Sequence, residues 1–557
     1  MDNYQIADYF SLLGKLAEIH GENAFKAKAY SSTAFMLEKL AQPITELPRN
    51  QWAGIRGIGA SGAQKIAELV DTGKLSALEE LLTQTPSGIL DMLRIKGLGP
   101  KKITVIWKEM EIETLGELLY ACRDNRLSRY KGFGEKTQQQ IQAAIEFYQR
   151  NQGSLLWAQA ETITPEIISF LQKILPNTRL SWAGEFLTQE PTLDVLSLVA
   201  VTTIDEAVNA LQQVPEFTIR EQEADSISWQ AGSGIRFRLH ACQENNFIRT
   251  IFVTSASSSF FATLDACVDW AEAKSVEDVF QLAGFHTVTP ARWHDSQYLV
   301  KLDSLALPGP ISAESIRGII HSHSTWSDGS HSLAVMAEAA KTQGLEYLVI
   351  SDHSQAAFYA NGLTPERILA QQQEIQQLNT TLAPFRIYSS MECDILSDGQ
   401  LDYDESVWQS LDLIIASVHS NLKMTEEKAM MRLLRAIEHP YTNILGHMTG
   451  RLLLSRPGYP IDHAKIIDAC AANDVAIEIN AHPSRLDLDW RWVNYALDKG
   501  VLLSINPDAH EVNGFKDVQY GIRIAQKTRL EPKQNLSSFS KADFESWIVE
   551  QHRKRSH

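Results

Sequence analysis

The sequence predicts a multidomain chain with an all-α N-terminal region, a central α/β module and a C-terminal distorted (β/α)7 barrel. Three observations predict it. From Ile6 to about Leu47 apolar residues recur at helical spacing, as in IADYFSLLGKLAEI and AFMLEKLAQPITEL, and the same texture continues from Trp52 to Tyr148. From about Leu155 to Pro308 strand-like runs such as VLSLVAVT and RTIFVTS alternate with helical ones such as IDEAVNALQQ. From about Ser315 onward, apolar runs that each lead to a polar residue alternate with amphipathic helical stretches such as SLAVMAEAAKTQGL. The expected boundaries are 1–80, 81–152, 153–312 and 313–557.

A chain of 557 residues, 44% hydrophobic and 21% charged, is too long for one core and apolar enough for several. The N-terminus lacks the basic start and apolar stretch of a secretory signal, and no later run has the length of a membrane span, so a cytoplasmic, nucleoid-associated monomer is expected. Five cysteines without a CxxC pair predict neither a disulfide framework nor a thiolate zinc site. A formal net charge of -17 excludes a protein that coats nucleic acid over its whole surface, so any DNA contact must be local.

In the helical region one pattern occurs three times. Gly57-Ile58-Gly59, Gly97-Leu98-Gly99 and Gly132-Phe133-Gly134 each follow a basic residue (Arg56, Lys96, Lys131) and precede a helical run, the second of which carries Lys101. A Gly-apolar-Gly hairpin can bring backbone N–H groups and a helix N-terminus to a phosphate while its central residue packs inward. These elements resemble helix-hairpin-helix motifs, which implies contact with the DNA backbone.

The chemistry lies in the last segment. Ten of the 16 histidines fall between His321 and His510. The apolar runs lead to His321, Asp352-His353, Glu392, His419, His447, Asn480 and Asp508-Ala509-His510. Seven buried parallel strands followed by polar residues place those residues on one C-terminal rim, where barrel enzymes build their sites. In His321-Ser322-His323 a period of two along an extended strand would aim both imidazoles the same way. With Asp328, the rim offers nine candidate ligands: His321, His323, Asp328, His353, Glu392, His419, His447, Asp508 and His510. Mixed imidazole and carboxylate suits manganese, zinc or iron rather than calcium, and up to three divalent ions could share the carboxylates. Burying so many such groups without cations would be costly. His331, His439, His463 and His482 lack the strand-end placement and are expected to be ordinary.

HSHSTWSDG, SDHS, MECDIL, ASVHS, LGHMTGRLLLSR, IEINA and NPDAH resemble, in order, the motifs of polymerase and histidinol phosphatase (PHP) domains. Ile319 departs from the acid that often opens the first motif. The resemblance implies a metal-dependent phosphoesterase in which Arg451 and Arg456 bind phosphate and Asp352 joins them as a catalytic group.

From end to end the chain is similar to bacterial family X DNA polymerases with 3′–5′ exonuclease activity. That resemblance implies a nucleotidyltransferase-like palm and thumb in the centre, with DNA that is gapped, nicked or 3′-ended as partner. The family's palm begins with Gly-Ser and continues to Asp-x-Asp. Here WAGEFLTQEPTLDVLSLV carries Glu185 for the Ser, Asp194 for the first Asp and Leu196 for the second, and Arg236 stands where the third carboxylate is expected. Thr254-Ser255-Ala256 replaces the later Thr-Gly-Ser turn. Leucine cannot bind magnesium and arginine repels it, so loss of template-directed synthesis is expected, with magnesium serving only residual activity. Lys65 falls where related polymerases carry a Schiff-base lysine, although contact with phosphate is the plainer reading. The expected function is a DNA-repair exonuclease or 3′-phosphoesterase. The alternatives are an active polymerase proofread by the barrel, and a DNA-end-binding scaffold.

Overall fold

The computed structural model describes residues 1–40, 42–123, 127–150, 153–305, 307, 309–454 and 457–554. The chain divides into two compact units, Met1–Gln152 and Gly153–His557. Among the described residues no helix is long and apolar enough to cross a membrane. The five cysteines are free; Cys122, Cys393 and Cys470 are buried, while Cys267 is exposed.

The first unit is helical. Helices Asn3–Ile19 and Ala24–Glu38 pack through the predicted apolar stripe, with Ile6, Phe10, Leu13, Leu16 and Leu37 buried. All three hairpins have one geometry. Ile58, Leu98 and Phe133 are buried, and each donates its N–H to the carbonyl three residues back, at 3.1, 3.1 and 3.0 Å. The preceding Gly57, Gly97 and Gly132 have φ of 89°, 91° and 95°, a turn that side chains resist. Arg56, Lys96, Lys101 and Lys131 are all exposed. Lys65 is half-buried on helix Gly59–Thr72.

The centre of the second unit is a five-stranded sheet of β1 (Leu180–Ala183), β2 (Leu196–Val201), β3 (Phe217–Gln222), β4 (Ser226–Ala231) and β5 (Arg236–Cys242), in the order β1-β2-β5-β4-β3. RTIFVTS is not a strand. It lies in helix Phe247–Ser255, where Phe247, Ile248, Ile251 and Phe252 are buried together at helical spacing, and that packing overrides its β-branched composition.

The remainder is a barrel of seven parallel strands. They are β6 (Gly318–Ile319), β7 (Tyr347–Ile350), β8 (Arg386–Asp394), β9 (Leu413–Ser417), β10 (Ile444–Leu445), β11 (Ala476–Asn480) and β12 (Leu503–Asn506), adjacent in chain order. A parallel bridge between Ser322 and Ala509 brings the two edges together at the rim, where His323 N donates to Ala509 O at 2.8 Å. The connecting helices start at side-chain caps, such as Ser332, Thr364, Thr425, Asp462 and Asp489.

The period of two divides each strand between two environments. Leu348 and Ile350, Ile414 and Ala416, and Ile477 and Ile479 pack in the main core of the barrel segment. Tyr347, Val349, Tyr388, Leu413, Ile415 and Ala476 form a separate cluster with Phe544, Trp547 and Ile548 of the C-terminal helix Lys541–Lys554. Farther along the same register the residues turn polar: Glu392 and Asp394 on β8, Glu478 and Asn480 on β11, Ser504 and Asn506 on β12, all buried. The interior is thus apolar at one end and ionic at the other.

The apolar end leaves no slack. A Cβ at Gly318 would come within 2.1 Å of the Tyr347 ring, which is buried and donates to Leu536 O at 2.9 Å. Gly318→Ala should therefore destabilise the barrel by about 1–3 kcal/mol, the usual cost of overpacking. Denaturation midpoints check this, and an unchanged midpoint would show that the β6–β7 contact is loose.

Candidate metal centre

At the ionic end the sequence-predicted ligands converge. The centre of the cluster is Glu392, whose Oε1 lies 2.9 Å from His447 Nε2, 3.0 Å from His419 Nε2 and 3.3 Å from His321 Nε2. Its Oε2 lies 3.1 Å from His353 Nδ1 and 3.6 Å from His323 Nε2. Asp508 Oδ1 faces His323 Nε2 at 3.1 Å and His321 Nε2 at 3.4 Å. Asp328 Oδ1 faces His510 Nε2 at 3.4 Å and His353 Nε2 at 3.7 Å.

Three overlapping groups have all their ligand atoms within 4.8 Å of one another: His323, Asp328, His353 and His510; His321, His323, Glu392 and Asp508; and His353, Glu392 and His419. Among the described residues all such groups lie at this rim. His447 joins them through Glu392.

The donors fit cations better than they fit one another. His321 Nε2 and His353 Nδ1 are buried with no hydrogen-bond partner, although each lies close to Glu392. Separations of this size are those of two ligands on a shared ion, because bonds of about 2.1 Å at tetrahedral or octahedral angles put ligand atoms roughly 3.0–3.4 Å apart. Electrostatics point the same way. Burial opposes protonation of His419, yet Glu392 and Asp394 raise it to about 10. Burial also opposes that of His510, which Asp328 and Asp508 raise to about 9. Burial would raise Asp328, but His510 and neighbouring imidazoles hold it down to about 2. His353, where burial outweighs Glu392, falls to about 4. The cluster therefore demands positive charge at its centre, which imidazolium protons supply only in part.

His321 and His323 both reach the cluster, but not from an extended strand. β6 ends at Ile319, and His321 has φ 65°. The αL bend, matched by φ 53° at Asp508, turns both ligand loops into the mouth.

A second layer orients the imidazoles. Glu478 Oε1 lies 2.5 Å from His321 Nδ1, and Asp394 Oδ1 lies 3.2 Å from His419 Nδ1. A carboxylate there keeps the proton on Nδ1 and leaves Nε2 to ligate. Glu478 Oε1 also accepts from Asn506 Nδ2 at 2.9 Å, and Asn480 Nδ2 donates to Asp508 Oδ2 at 3.0 Å. Glu478 was absent from the sequence-predicted set, although a lone acid inside the apolar run VAIEIN was its signal.

Of the three predicted catalytic groups, two engage other partners and one lies outside the described residues. Asp352 is buried and accepts from Ser324 N and Oγ, Ser327 N and Oγ and Gln371 Nε2 at 2.5–3.1 Å. Those five donors engage both its oxygens, so it orders the loop between His323 and Asp328 rather than serving the cluster. Arg451 is likewise committed, to Asp489 at 2.6 Å and to the carbonyls of Arg485 and Leu486. Arg456 lies outside the described residues. Among the described residues the guanidinium beside the cluster is that of Arg485, with Nε 3.7 Å from Asp508 Oδ2. His482, expected to be ordinary, follows β11; burial lowers its imidazole and Asp508 works against that, and it belongs to none of the ion-sharing groups.

The palm is different. A cavity of about 420 Å³ is lined by Gly184, Glu185, Asp194, Ser197, Ser255 and His294, among others. Leu196 does not line it. It is buried in the core on the opposite face of β2 from Ser197, so Ser197 rather than Leu196 holds the cavity-facing position. Asp194, with a 68% exposed side chain, accepts from Ser154 Oγ at 2.6 Å and faces Arg236 Nη2 at 4.0 Å.

Comparison with known proteins agrees with this architecture. Residues 1–75 match the family described as "Helix-hairpin-helix domain", and residues 89–146 match "SAM-like Helix-hairpin-helix tandem". A Bacillus subtilis protein described as "DNA polymerase/3′-5′ exonuclease PolX" is 32% identical over 97% of this chain and 99% of its own length. A "Probable phosphatase" of Vibrio parahaemolyticus is 27% identical over 40% of this chain and 89% of its own, and one of Clostridium acetobutylicum is 32% identical over 25% of this chain and 62% of its own. With hairpins, palm-like sheet and histidine-lined barrel in one order, and a likeness that runs the length of both chains, this protein belongs to the PolX family.

Proposed function

We propose that the barrel is a metal-dependent phosphoesterase acting at the 3′ end of DNA, as an exonuclease or on a terminal phosphate, and that the palm has lost template-directed synthesis. One observation carries the reading: residues spread from His321 to His510 meet around Glu392 at ion-sharing distances.

His321, His323, Asp328, His353, Glu392, His419, His447, Asp508 and His510 would hold up to three divalent ions, with manganese, zinc and iron suited to the donor set. Such ions supply Lewis acidity toward a phosphoryl group. The chain's own residues prepare the mouth. Glu478 and Asp394 fix the imidazole tautomers, Asp352 orders the loop that presents Asp328, and Arg485 offers positive charge to a phosphate oxygen beside Asp508.

DNA is the natural polymer for this site. The hairpins present exposed basic side chains beside turns of one shape, and the named Bacillus subtilis relative is described as a DNA enzyme. The relatives described as phosphatases support phosphate-ester hydrolysis and favour a terminal monoester as the second substrate class. Against a working palm stands its charge arrangement. Asp194 is engaged by Ser154 and Arg236, and among the described residues the ligand groups close enough to share an ion lie elsewhere.

Asp508→Ala should reduce release of label from 3′-labelled DNA at least about a hundredfold, since Lewis-acid stabilisation is worth several kcal/mol. Elemental analysis of the same preparation should show less bound metal, and degradation of the DNA at the wild-type rate would remove the nuclease from the barrel. Glu478→Gln tests the second layer. Metal affinity should fall about 10- to 100-fold with the fold retained, as for other outer-layer partners of ligating histidines. Finally, Mg²⁺-dependent primer extension should give no product above background. Robust nucleotide incorporation would restore the polymerase reading.

A further inference from the structure

Between β7 and helix Pro365–Leu382 the chain makes a short excursion whose two ends meet beside the candidate ligand His353. Leu363 N donates to His353 O at 2.9 Å, and Ser354 N donates to Glu392 O at 3.1 Å. The peptide that follows His353 is therefore engaged at both of its polar groups. Its orientation matters because the two nitrogens of the His353 ring face different partners. Nδ1 lies 3.1 Å from Glu392 Oε2, and Nε2 lies 3.7 Å from Asp328 Oδ1. His353 is shared by two of the three ion-sharing groups, so a tilt of this ring would disturb both.

One side chain ties the ends of the excursion together. Tyr403 Oη accepts from Gln355 N at 2.7 Å and donates to Leu363 O. Leu363 is thereby gripped on both sides, by His353 O at its N–H and by Tyr403 Oη at its carbonyl. Tyr403 belongs to the turn that follows β8, where Asp402 N donates to Asp394 O at 3.1 Å and Asp402 Oδ2 accepts from Ala356 N at 2.6 Å. Glu392 and Asp394 lie at the end of β8, so the turn ties the excursion to the strand whose carboxylate His353 faces.

Tyr403 has φ 77°, a left-handed conformation that a bulky side chain enters only where its surroundings require it. Its ring packs against the main core of the barrel segment, a role that phenylalanine would fill as well. The hydroxyl is what phenylalanine would lack, and its donor and one acceptor site are both spent on the excursion.

We infer that Tyr403 is a positioning residue for the metal centre: its hydroxyl closes the loop behind His353 and so fixes how that imidazole presents its nitrogens to the ions. The inference rests on the metal-dependent reading above. Partners of ligating histidines tune metal binding by fixing the ring, and here the tie acts one step farther out, through the backbone that carries the ring.

The test uses the full-length protein, stripped with EDTA and titrated with Mn²⁺. Tyr403→Phe should weaken Mn²⁺ binding at one or more sites about tenfold, read as free ion by electron paramagnetic resonance, with the far-ultraviolet circular dichroism unchanged. Denaturation midpoints separate positioning from general stability. Mn²⁺ should raise the wild-type midpoint above its value in EDTA, and that increment should shrink in Tyr403→Phe. Tyr388→Phe is the control: it loses a hydroxyl bond to Glu545, 3.0 Å long, at the apolar end of the barrel and should keep the full increment. Equal Mn²⁺ affinity in wild type and Tyr403→Phe, or midpoints lowered equally with and without the ion, would overturn the positioning role. A wild type that binds Mn²⁺ more tightly than Tyr403→Phe, yet releases neither nitrophenol from bis(4-nitrophenyl) phosphate nor label from DNA, would defeat the phosphoesterase reading and leave the positioning role standing.

Discussion

The structure depends on Glu392 being ionised in a place where no isolated carboxylate could be. It is buried, yet burial, which alone would raise its carboxyl, is overcome by His419, His321 and His353, and the group is held well below the usual carboxylate range. A charge in such a setting is tolerable only when paired. The pairing is reciprocal. The same carboxylate raises His419 and contributes to raising His321, each against its own burial. A set of mutually dependent charges in a dry mouth is marginal by itself, and cations at its centre would replace repulsion between imidazoles with coordination. The rest of the barrel can be read as the means of delivering these groups to one point: alternating strands sealed by aromatic rings at one end, and αL bends at His321 and Asp508 at the other.

Much of this is legible in the sequence, because both periodicities leave marks there. Continuous apolar runs such as EYLVIS and LDLIIASV gave away strands buried on both faces, and the acids and histidines after them gave away the rim. The hairpins were legible because only glycine takes their turn at low cost, so the pattern repeats at Gly57, Gly97 and Gly132. What sequence could not show was orientation. Arg451 follows His447 closely and carries the right charge, but its guanidinium turns to Asp489 and two carbonyls, while Arg485, less conspicuous in the chain, comes to Asp508. Asp352 adjoins His353 and still faces a different set of partners. Glu478 was hidden because a motif ending at Asn480 drew attention to the strand end and away from the acid two residues earlier. RTIFVTS misled for a related reason: its composition favours a strand, and only the burial of Phe247, Ile251 and Phe252 on one face shows the helix.

Within the second unit the palm-like segment is held to the barrel by contacts in which Asp194 takes no part. Lys527, from the barrel segment, is fully buried, and its Nζ donates to Thr188 O at 2.7 Å and to Glu190 at 2.8 Å, both on the palm, while it sits 4.6 Å from the Trp490 ring centroid. Burial pulls its ammonium below the usual lysine range and Glu190 works against that pull. Arg292 enters from the palm side and donates to the carbonyls of Gln526 and Thr528, and Tyr298 donates to Lys527 O. Removing the palm would leave Lys527 without its carboxylate and three carbonyls without donors, a cost of several kcal/mol for the charge alone. The barrel thus retains its neighbour for a structural reason independent of nucleotide chemistry. Asp194, exposed at the cavity, carries none of that burden and is free to change. Glu190 and Thr188 line the same cavity and do carry it. Within a single pocket, residues therefore come under different constraints: a change at Asp194 leaves the contacts of Lys527 intact, whereas a change at Glu190 removes its carboxylate partner.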